Sequence, residues 1–366
     1  MTPRERILAI LSGEQPDQVP WAGDLDYWAT YLIKTGQKPE GFIQSDDYIQ
    51  WHHDLGVGFY LQGYFPYKQV IKNCDIREWA EGQKKYREII TPLGTVRECW
   101  EYIPTSYSDG PVEHFLKSET DIPAMKFIYE NTSFEPDYDF ALKRLQQVGD
   151  QGVVLCYLPK SPFMHLLALE AGIMSLTMCA MMVPDELQDL LDIMKKTFDQ
   201  AARIALDSPA EVLMIPENLS SEMVGPDFFE RYMRPYQEEW TRKINEAGKY
   251  SFIHIDGTLR GLLKEEASVG FSVLEALTPH PVGDLKIESF SDFAGNTKSI
   301  FWGGIPGVYF TSSVSDDEFD RHVKHVLSVM IKEPRYVLGV ADQVPPDGLE
   351  KRVRRVSELV EKYGQY

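Results

Sequence analysis

The feature of this sequence that most restricts its fold is a regular alternation, from residue 140 onward, of short apolar runs with stretches of helical spacing. Apolar runs of this length are typical of buried strands, and the segments between them are long enough to return along a sheet as helices. The runs predict six parallel strands, at residues 152–158, 212–217, 250–256, 272–277, 299–304 and 336–342.

Two shorter apolar segments near the start of the chain, at residues 18–22 and 56–61, predict two further strands. Eight strands that alternate with helices are typical of an α/β fold of the (β/α)8 TIM-barrel class. The sequence contains no long linker rich in Pro, Gly and Ser, so we expect residues 1–366 to form a single domain.

Two local features are expected in addition to the barrel. Thr2, Pro3 and Glu5 have the order of an N-cap, a first-turn proline and a capping-box acid, which predicts an N-terminal helix. Residues 84–91 and 94–103 alternate in polarity on either side of a Pro-Leu-Gly turn. This alternation predicts an inserted β-hairpin.

The balance of charges excludes several classes of partner. The chain has 37 Lys and Arg against 56 Asp and Glu, a net charge of −19, which repels nucleic-acid phosphates and anionic lipid. Its four cysteines lack C-x-x-C spacing, and the first residues lack the apolar core of a signal peptide. We therefore expect a cytoplasmic protein with free thiols that binds neither nucleic acid nor membrane.

Ionisable residues stand where several of the predicted strands end, and in a barrel those ends meet around the active site. His254 and Asp256 are two apart on one strand, so their side chains point the same way. Together with Glu217 and Asp342 from other strands, they can supply three or four ligands for Zn²⁺ or another divalent ion. The same residues also fit a histidine that is hydrogen-bonded to a carboxylate in a polar pocket without metal.

A wider set of residues at the predicted barrel mouth is expected to contact substrate. Asp24 and Asp26 can alternatively cap the helix that follows them, and the tyrosines can alternatively be packing residues. Methionines between Met174 and Met182 recur at helical spacing, which predicts that they pack in the core. The substrate-binding candidates are Asp24, Asp26, Tyr60, Tyr64, Glu275, His280 and Trp302.

Three segments resemble the uroporphyrinogen decarboxylase superfamily: residues 2–20, residues 221–236, and the His-Ile-Asp-Gly sequence at 254–257. The resemblance extends over essentially the full chain. It implies a (β/α)8 barrel, in a superfamily that includes haem-pathway decarboxylases and cobalamin-associated methyltransferases acting on C1 donors or methyl-corrinoid proteins.

The decarboxylase branch grips its polycarboxylate tetrapyrrole with arginines in an Arg-x-x-Gly-Arg motif after the first strand. In this chain the corresponding loop contains Asp24 and Asp26, and no arginine occurs between Arg6 and Arg77. Carboxylates there would repel a substrate with many carboxylates. The resemblance is therefore closer to the methyltransferase branch.

Methyltransferases of this superfamily typically hold zinc with a His-x-Cys pair and a second cysteine near the last strand. Here His254 matches the histidine, whereas Asp256 and Asp342 occupy the cysteine positions. Oxygen ligands suit a harder ion that polarises an ether, alcohol or water rather than activating a thiol. The resemblance thus implies zinc or another divalent metal on Glu217, His254 and one or both aspartates.

The resemblance implies an enzyme that transfers a methyl group from a small donor to a corrinoid on a separate protein. The metal would act as Lewis acid, and His254, Glu217 and Asp256 would be the catalytic residues. Two alternatives stay open. One is a decarboxylase or lyase that uses His254 and Glu217 as acid and base on a smaller substrate. The other is a non-catalytic barrel that only binds a ligand.

Overall fold

The computed structural model describes residues 1–60 and 63–366 and is built around a six-stranded parallel sheet. The strands of the described residues, numbered in chain order, are β1 (Tyr67–Ile71), β2 (Asp75–Glu81), β3 (Lys84–Thr91), β4 (Gly94–Ile103), β5 (Ser108–Glu113), β6 (Thr132–Pro136), β7 (Leu155–Tyr157), β8 (Val212–Leu219), β9 (Tyr250–Ile255), β10 (Val273–Leu277), β11 (Ile300–Pro306) and β12 (Tyr336–Ala341).

Helices lie before, between and after these strands. In chain order they are α1 (Pro3–Leu11), α2 (Asp26–Lys34), α3 (Asp46–Leu55), α4 (Ile122–Glu130), α5 (Asp139–Val148), α6 (Pro162–His165), α7 (Gly172–Met182), α8 (Pro184–Asp207), α9 (Pro226–Phe228), α10 (Arg234–Glu246), α11 (Leu263–Val269), α12 (Phe290–Ala294), α13 (Asp316–Met330) and α14 (Glu350–Tyr363). Single π-helical turns follow α6 and α9, at Leu166–Glu170 and Phe229–Met233.

The parallel sheet runs in the order β12-β11-β10-β9-β8-β7, so each strand pairs with its neighbours in sequence. Alternate residues face opposite sides of it. One face gathers a cluster that includes Met214, Phe252, Val273 and Trp302. The other face packs against the helices in the largest core of the protein. Both faces are therefore buried, which explains why these strands read as continuous apolar runs rather than alternating ones.

The two edges of this sheet are linked by the early segments that the sequence predicts as strands. Parallel bridges join Trp21 to Leu338 on β12, Ala22 to Gly58, and Phe59 to Gly152 just before β7. Each segment contributes isolated bridges instead of a regular strand. Leu61, at the end of the second predicted strand, lies outside the described residues.

The predicted N-terminal helix and hairpin are both present. The Thr2 hydroxyl accepts a hydrogen bond from the Glu5 amide, and the Glu5 carboxylate accepts one from the Thr2 amide, which completes a capping box. Strands β3 and β4 form the hairpin, and they are the centre of a four-stranded antiparallel sheet in the order β2-β3-β4-β5. The outer strands β2 and β5 lack buried residues, so apolar spacing gives no signal for them.

The prediction that the methionines of α7 pack in the core is wrong for all four of them. Leu176 and Cys179 are buried, whereas Met174 is 78% exposed and Met181 is 76% exposed. Apolar residues surround α7 on every side, so spacing alone cannot identify the face that packs inward. Separately, none of the helices in residues 1–60 and 63–366 combines the length and apolar character needed to cross a bilayer.

Candidate metal centre

His254, Asp256 and Asp342 come together at the carboxyl ends of β9 and β12. His254 follows Phe252 by two residues, so it occupies the inward face of β9, and Asp256 stands two residues further on. Asp342 directly follows β12. One ligand atom from each of the three side chains lies within 4.8 Å of the other two. The structure brings these three predicted ligands together.

Glu275 orients the imidazole of His254 from the neighbouring strand β10. Its Oε2 lies 2.5 Å from His254 Nδ1, while its Oε1 accepts a hydrogen bond of 2.6 Å from the Tyr60 hydroxyl. The Glu275 side chain is fully buried. With Nδ1 engaged by Glu275, Nε2 is the nitrogen that faces Asp342, whose Oδ1 lies 3.5 Å away. A carboxylate behind the histidine is the usual support of a metal-binding imidazole.

The electrostatics of the site are dominated by its carboxylates. Burial by itself would lower the pKa of His254, but the charges of Glu275 and Asp342 outweigh burial and raise it to about 9. Burial raises the pKa of Asp342 to about 6, a rise that His254 opposes and Glu275 reinforces. Burial together with Asp26, Asp342 and Glu275 raises the pKa of Asp24 well above its usual range. A bound cation would relieve this crowding of acids.

The three side chains fit a divalent metal ion. They offer one imidazole nitrogen and two carboxylates, a donor set that zinc and harder divalent ions accept, and three protein ligands leave a position open for substrate. In the described part of the chain, the buried Oδ1 of Asp342 has no hydrogen bond, although His254 Nε2 lies 3.5 Å from it. A buried carboxylate oxygen without a donor costs stability unless a cation satisfies it.

Asp24 and Asp26 lie beside this group, at the start of α2. The Asp24 carboxylate accepts a hydrogen bond of 2.8 Å from the Asp26 amide, so it holds the helix start as the capping interpretation predicts. Asp26 accepts a hydrogen bond from the Tyr48 hydroxyl. Burial raises the pKa of Asp26 to about 6, although Tyr48 and Arg144 pull it downward. Asp24 therefore has both a capping bond and a charge that acts on the site.

Sequence reasoning missed Tyr157, which lies at the end of β7. Burial raises the pKa of its hydroxyl well above the usual range, and the charges of Asp24 and Glu275 add to the rise. Val153 and Leu155 belong to the inward cluster, and Tyr157 continues their alternation. The alternation of side-chain directions along β7 would have identified Tyr157 as a residue of the inward face.

Glu217 lies outside the group of possible metal ligands, which corrects the prediction that it joins His254. Along β8, Glu217 lies two residues after Ile215 and four after Leu213, so its side chain points to the same face as theirs. Leu213 and Ile215 face the helices. Its carboxylate accepts hydrogen bonds of 3.1 and 3.2 Å from the Ser161 amide and one of 3.4 Å from Gln237 on α10. Glu217 is fully buried, and its contacts support a packing role between β8 and α10.

Three further residues predicted to bind substrate lie in different surroundings. Trp302 is fully buried in the inward cluster, where its ring centroid lies 4.3 Å from that of Tyr60. The Tyr64 hydroxyl donates to the carbonyl of Asp137, away from the acids. His280 is exposed on the loop after β10. Trp302 thus shares the inward face with His254 but is covered by its neighbours, and Tyr64 bonds a backbone carbonyl.

Comparison with known proteins agrees with this architecture. The solved structures that resemble the chain include a methyltransferase from Methanosarcina mazei, with 15% identity, a TM-score of 0.64 and coverage of 99% of both chains. A ribulose-1,5-bisphosphate carboxylase/oxygenase from Pyrococcus horikoshii, with 9% identity and a TM-score of 0.29 over 68% of this chain and 50% of its own, is too different to support an argument.

No sequence among curated proteins matches the chain. The sequence pattern of the uroporphyrinogen decarboxylase (URO-D) family matches residues 107–363, which include the six parallel strands and all three possible metal ligands. The match extends over more than two thirds of the chain. The chain therefore belongs to the uroporphyrinogen decarboxylase family.

Proposed function

We propose that this protein is a methyltransferase that moves a methyl group from a small donor to a corrinoid carried by a separate protein. The observation that carries the proposal is the group of His254, Asp256 and Asp342, supported from behind by Glu275. The absence of arginine between Arg6 and Arg77 also favours this function over tetrapyrrole decarboxylation. The likeness in fold to a methyltransferase is consistent with it.

In this proposal His254, Asp256 and Asp342 hold zinc or another divalent ion. Such an ion acts as a Lewis acid on the atom that the methyl group leaves. Glu275 accepts the Nδ1 proton of His254 and so keeps Nε2 available, while the Tyr60 hydroxyl holds Glu275 in place. The chain thereby fixes the imidazole before any substrate arrives.

The charge of the site favours particular donors. The carboxylates of Asp256, Asp342 and Glu275 carry more negative charge than one divalent ion on a neutral His254 would offset. An anionic donor would meet repulsion at such a site, whereas a neutral or cationic methyl ether or methylamine would not. We therefore expect the donor to carry no net negative charge.

We also propose that the bridges at Trp21, Ala22 and Phe59 close the six-stranded sheet into a (β/α)8 barrel. In a closed barrel the ends of β9, β10 and β12 surround a single mouth, as the proximity of their residues requires. Closure would also bring Asp24 and Tyr60, which follow the bridging segments, to the same mouth. This arrangement agrees with the hydrogen bond between Tyr60 and Glu275.

The test combines metal analysis with a methyl-transfer assay. Protein purified without chelator is analysed for metal, and the demethylation of candidate ethers and methylamines is followed with free cob(I)alamin as acceptor. We expect about one metal per chain and methylcobalamin formation, both lost in His254→Ala. His53→Ala is the matched control because the His53 side chain is 70% exposed.

Two results would contradict the proposal. Equal and negligible metal in the wild type and in His254→Ala would remove the Lewis acid. Release of carbon dioxide from a small carboxylic acid, with no metal requirement, would replace methyl transfer by the decarboxylase alternative. In that case His254, whose pKa is raised to about 9, would serve as the proton donor.

A further inference from the structure

An apolar surface rich in methionine is formed by α7 and by the loop between β8 and α10. Met174, Met178, Met181 and Met182 of α7 have exposed fractions of 78%, 53%, 76% and 61%. Beside them runs a groove of about 470 Å³ whose apolar lining includes Phe163, Leu167, Ile173, Leu176, Met223 and Phe228. We call these residues the methionine surface. Exposed apolar patches of this kind mark sites of protein–protein contact.

The methionine surface adjoins the candidate metal centre. Residues 158–182 follow the carboxyl end of β7 and residues 220–228 follow that of β8, so both segments lie on the side of the sheet where His254 and Asp256 lie. The loop that follows Asp256 contacts the loop after β8, where the Ser221 and Thr258 hydroxyls lie 2.8 Å apart. The Asp256 amide donates to the carbonyl of Leu219, and the amide of Met223, a groove residue, donates to the carbonyl of Ser220.

Acids predominate around the methionine surface, although the exposed Arg231 lies on the Tyr232 ring, which stacks on Phe163. No lysine or arginine occurs from residue 161 to residue 194 or from residue 218 to residue 230. Exposed acids at the rim include Asp185 and Glu186, which follow α7 directly, and Glu222 and Asp227 beside the groove. In the described part of the chain, none of these four acids forms an ion pair.

The acidic rim distinguishes two proteins that could cover the methionine surface, a second copy of this chain and a different partner. A second copy of the chain, related by a two-fold axis, would place the acidic rim against an identical acidic rim. A different protein with an apolar centre and a basic rim would complement both features. Methionine side chains are flexible and adapt to such a partner, and they are enriched at interfaces of this kind.

We propose that the methionine surface docks the protein that carries the corrinoid methyl acceptor, through an apolar projection surrounded by lysine and arginine. The inference rests on the proposed function, because it assigns a contact surface to the partner of that reaction. Its position beside Asp256 would bring the acceptor to the site that releases the methyl group.

The test measures binding and turnover separately. The probe is the holo corrinoid protein encoded in the same genome, with affinity measured by calorimetry and methyl transfer measured to this protein and to free cob(I)alamin. The variant Met174→Glu/Met181→Glu adds charge at two highly exposed positions, so the fold is preserved. Leu93→Glu, at the 58% exposed hairpin turn, is the matched control.

We expect the double variant to bind the corrinoid protein at least tenfold more weakly, and Leu93→Glu to bind it like the wild type. Transfer to free cob(I)alamin should be unchanged in both variants. Equal binding by the double variant and the wild type, or no binding by the wild type, would overturn the docking proposal.

Two further outcomes are also decisive. Tight binding without methyl transfer to either acceptor would contradict the proposed function while leaving the docking surface supported. Sedimentation that shows a wild-type dimer, dissociated by the double variant, would assign the methionine surface to a second copy and overturn the proposal.

Discussion

At the scale of single residues, two fully buried glutamates differ in what they support. Glu275 contacts the His254 ring, whereas Glu217 binds the Ser161 amide and Gln237. Both lie within strands of the parallel sheet, Glu275 at the centre of β10 and Glu217 near the end of β8. Their roles are separated by strand parity, because Glu275 faces inward with Val273 while Glu217 faces the helices.

This difference predicts opposite outcomes for the same substitution. Glu275→Gln removes the charge that supports the His254 imidazole, so we expect metal affinity to fall by roughly 10- to 100-fold. Glu217→Gln should leave metal affinity unchanged and should lower the free energy of unfolding by about 1–3 kcal/mol, because a buried hydrogen-bond acceptor is weakened.

The measurements are metal titration with a competing chelator and urea unfolding of both variants. Each variant serves as the control for the other, since each removes one buried charge close to the same sheet. Loss of metal affinity in Glu217→Gln would show that Glu217 joins the metal group after all.

At the scale of elements, most of the sheet could be predicted and most side-chain directions could not. The six parallel strands are visible as apolar runs because both of their faces are buried. For the same reason the runs carry no alternation that marks the inward face. Position in the chain therefore assigns Trp302 and Glu217 to the mouth, although one lies in the interior and the other faces α10.

Helix α7 and strand β5 show a second limit of prediction from sequence, which concerns burial. Helix α7 is apolar on all sides and β5 is polar on both, so neither has a pattern from which burial can be deduced. Long-range contacts such as the one between Tyr60 and Glu275 join residues 215 positions apart. Such contacts depend on how the strands are arranged, which no local window of sequence contains.

The packing between β11 and β12 predicts the effect of a single methyl group. A Cβ atom on Gly339 would lie 2.6 Å from Cδ1 and 2.8 Å from Nε1 of the Trp302 ring. The ring is fully buried and cannot move away without displacing its neighbours. We expect Gly339→Ala to lower the free energy of unfolding by about 1–3 kcal/mol, measured by urea denaturation.

Gly225→Ala is the matched control, because nothing lies within 4 Å of its added Cβ. A second variant tests the cause. Gly339→Ala combined with Trp302→Phe should be less destabilised than the sum of the two single variants, since the smaller ring leaves room for the methyl group. Additive losses would mean that Gly339 is required for another reason.

At the scale of the whole molecule, the site depends on residues from both ends of the parallel sheet. Asp342 follows β12 at one edge, while Tyr60 follows the bridge to Gly152 at the other. Their common contact with the pair of His254 and Glu275 requires the early segments to link the edges. Closure of the sheet and assembly of the metal group are therefore one event in this proposal.

Gly152→Ala tests this dependence. A Cβ atom at residue 152 would overlap the carbonyl of Phe59, so the early segment must separate from β7. The bridge is held by the hydrogen bonds from the Phe59 amide to Gln151 and from the Val153 amide to Phe59, at 2.9 and 3.0 Å.

We expect both amides to lose protection from hydrogen exchange and metal affinity to fall, although residue 152 contacts no possible metal ligand. If exchange accelerates at these amides while metal affinity is unchanged, the His254 group forms without the linked edges, and the closed barrel is not what assembles the site.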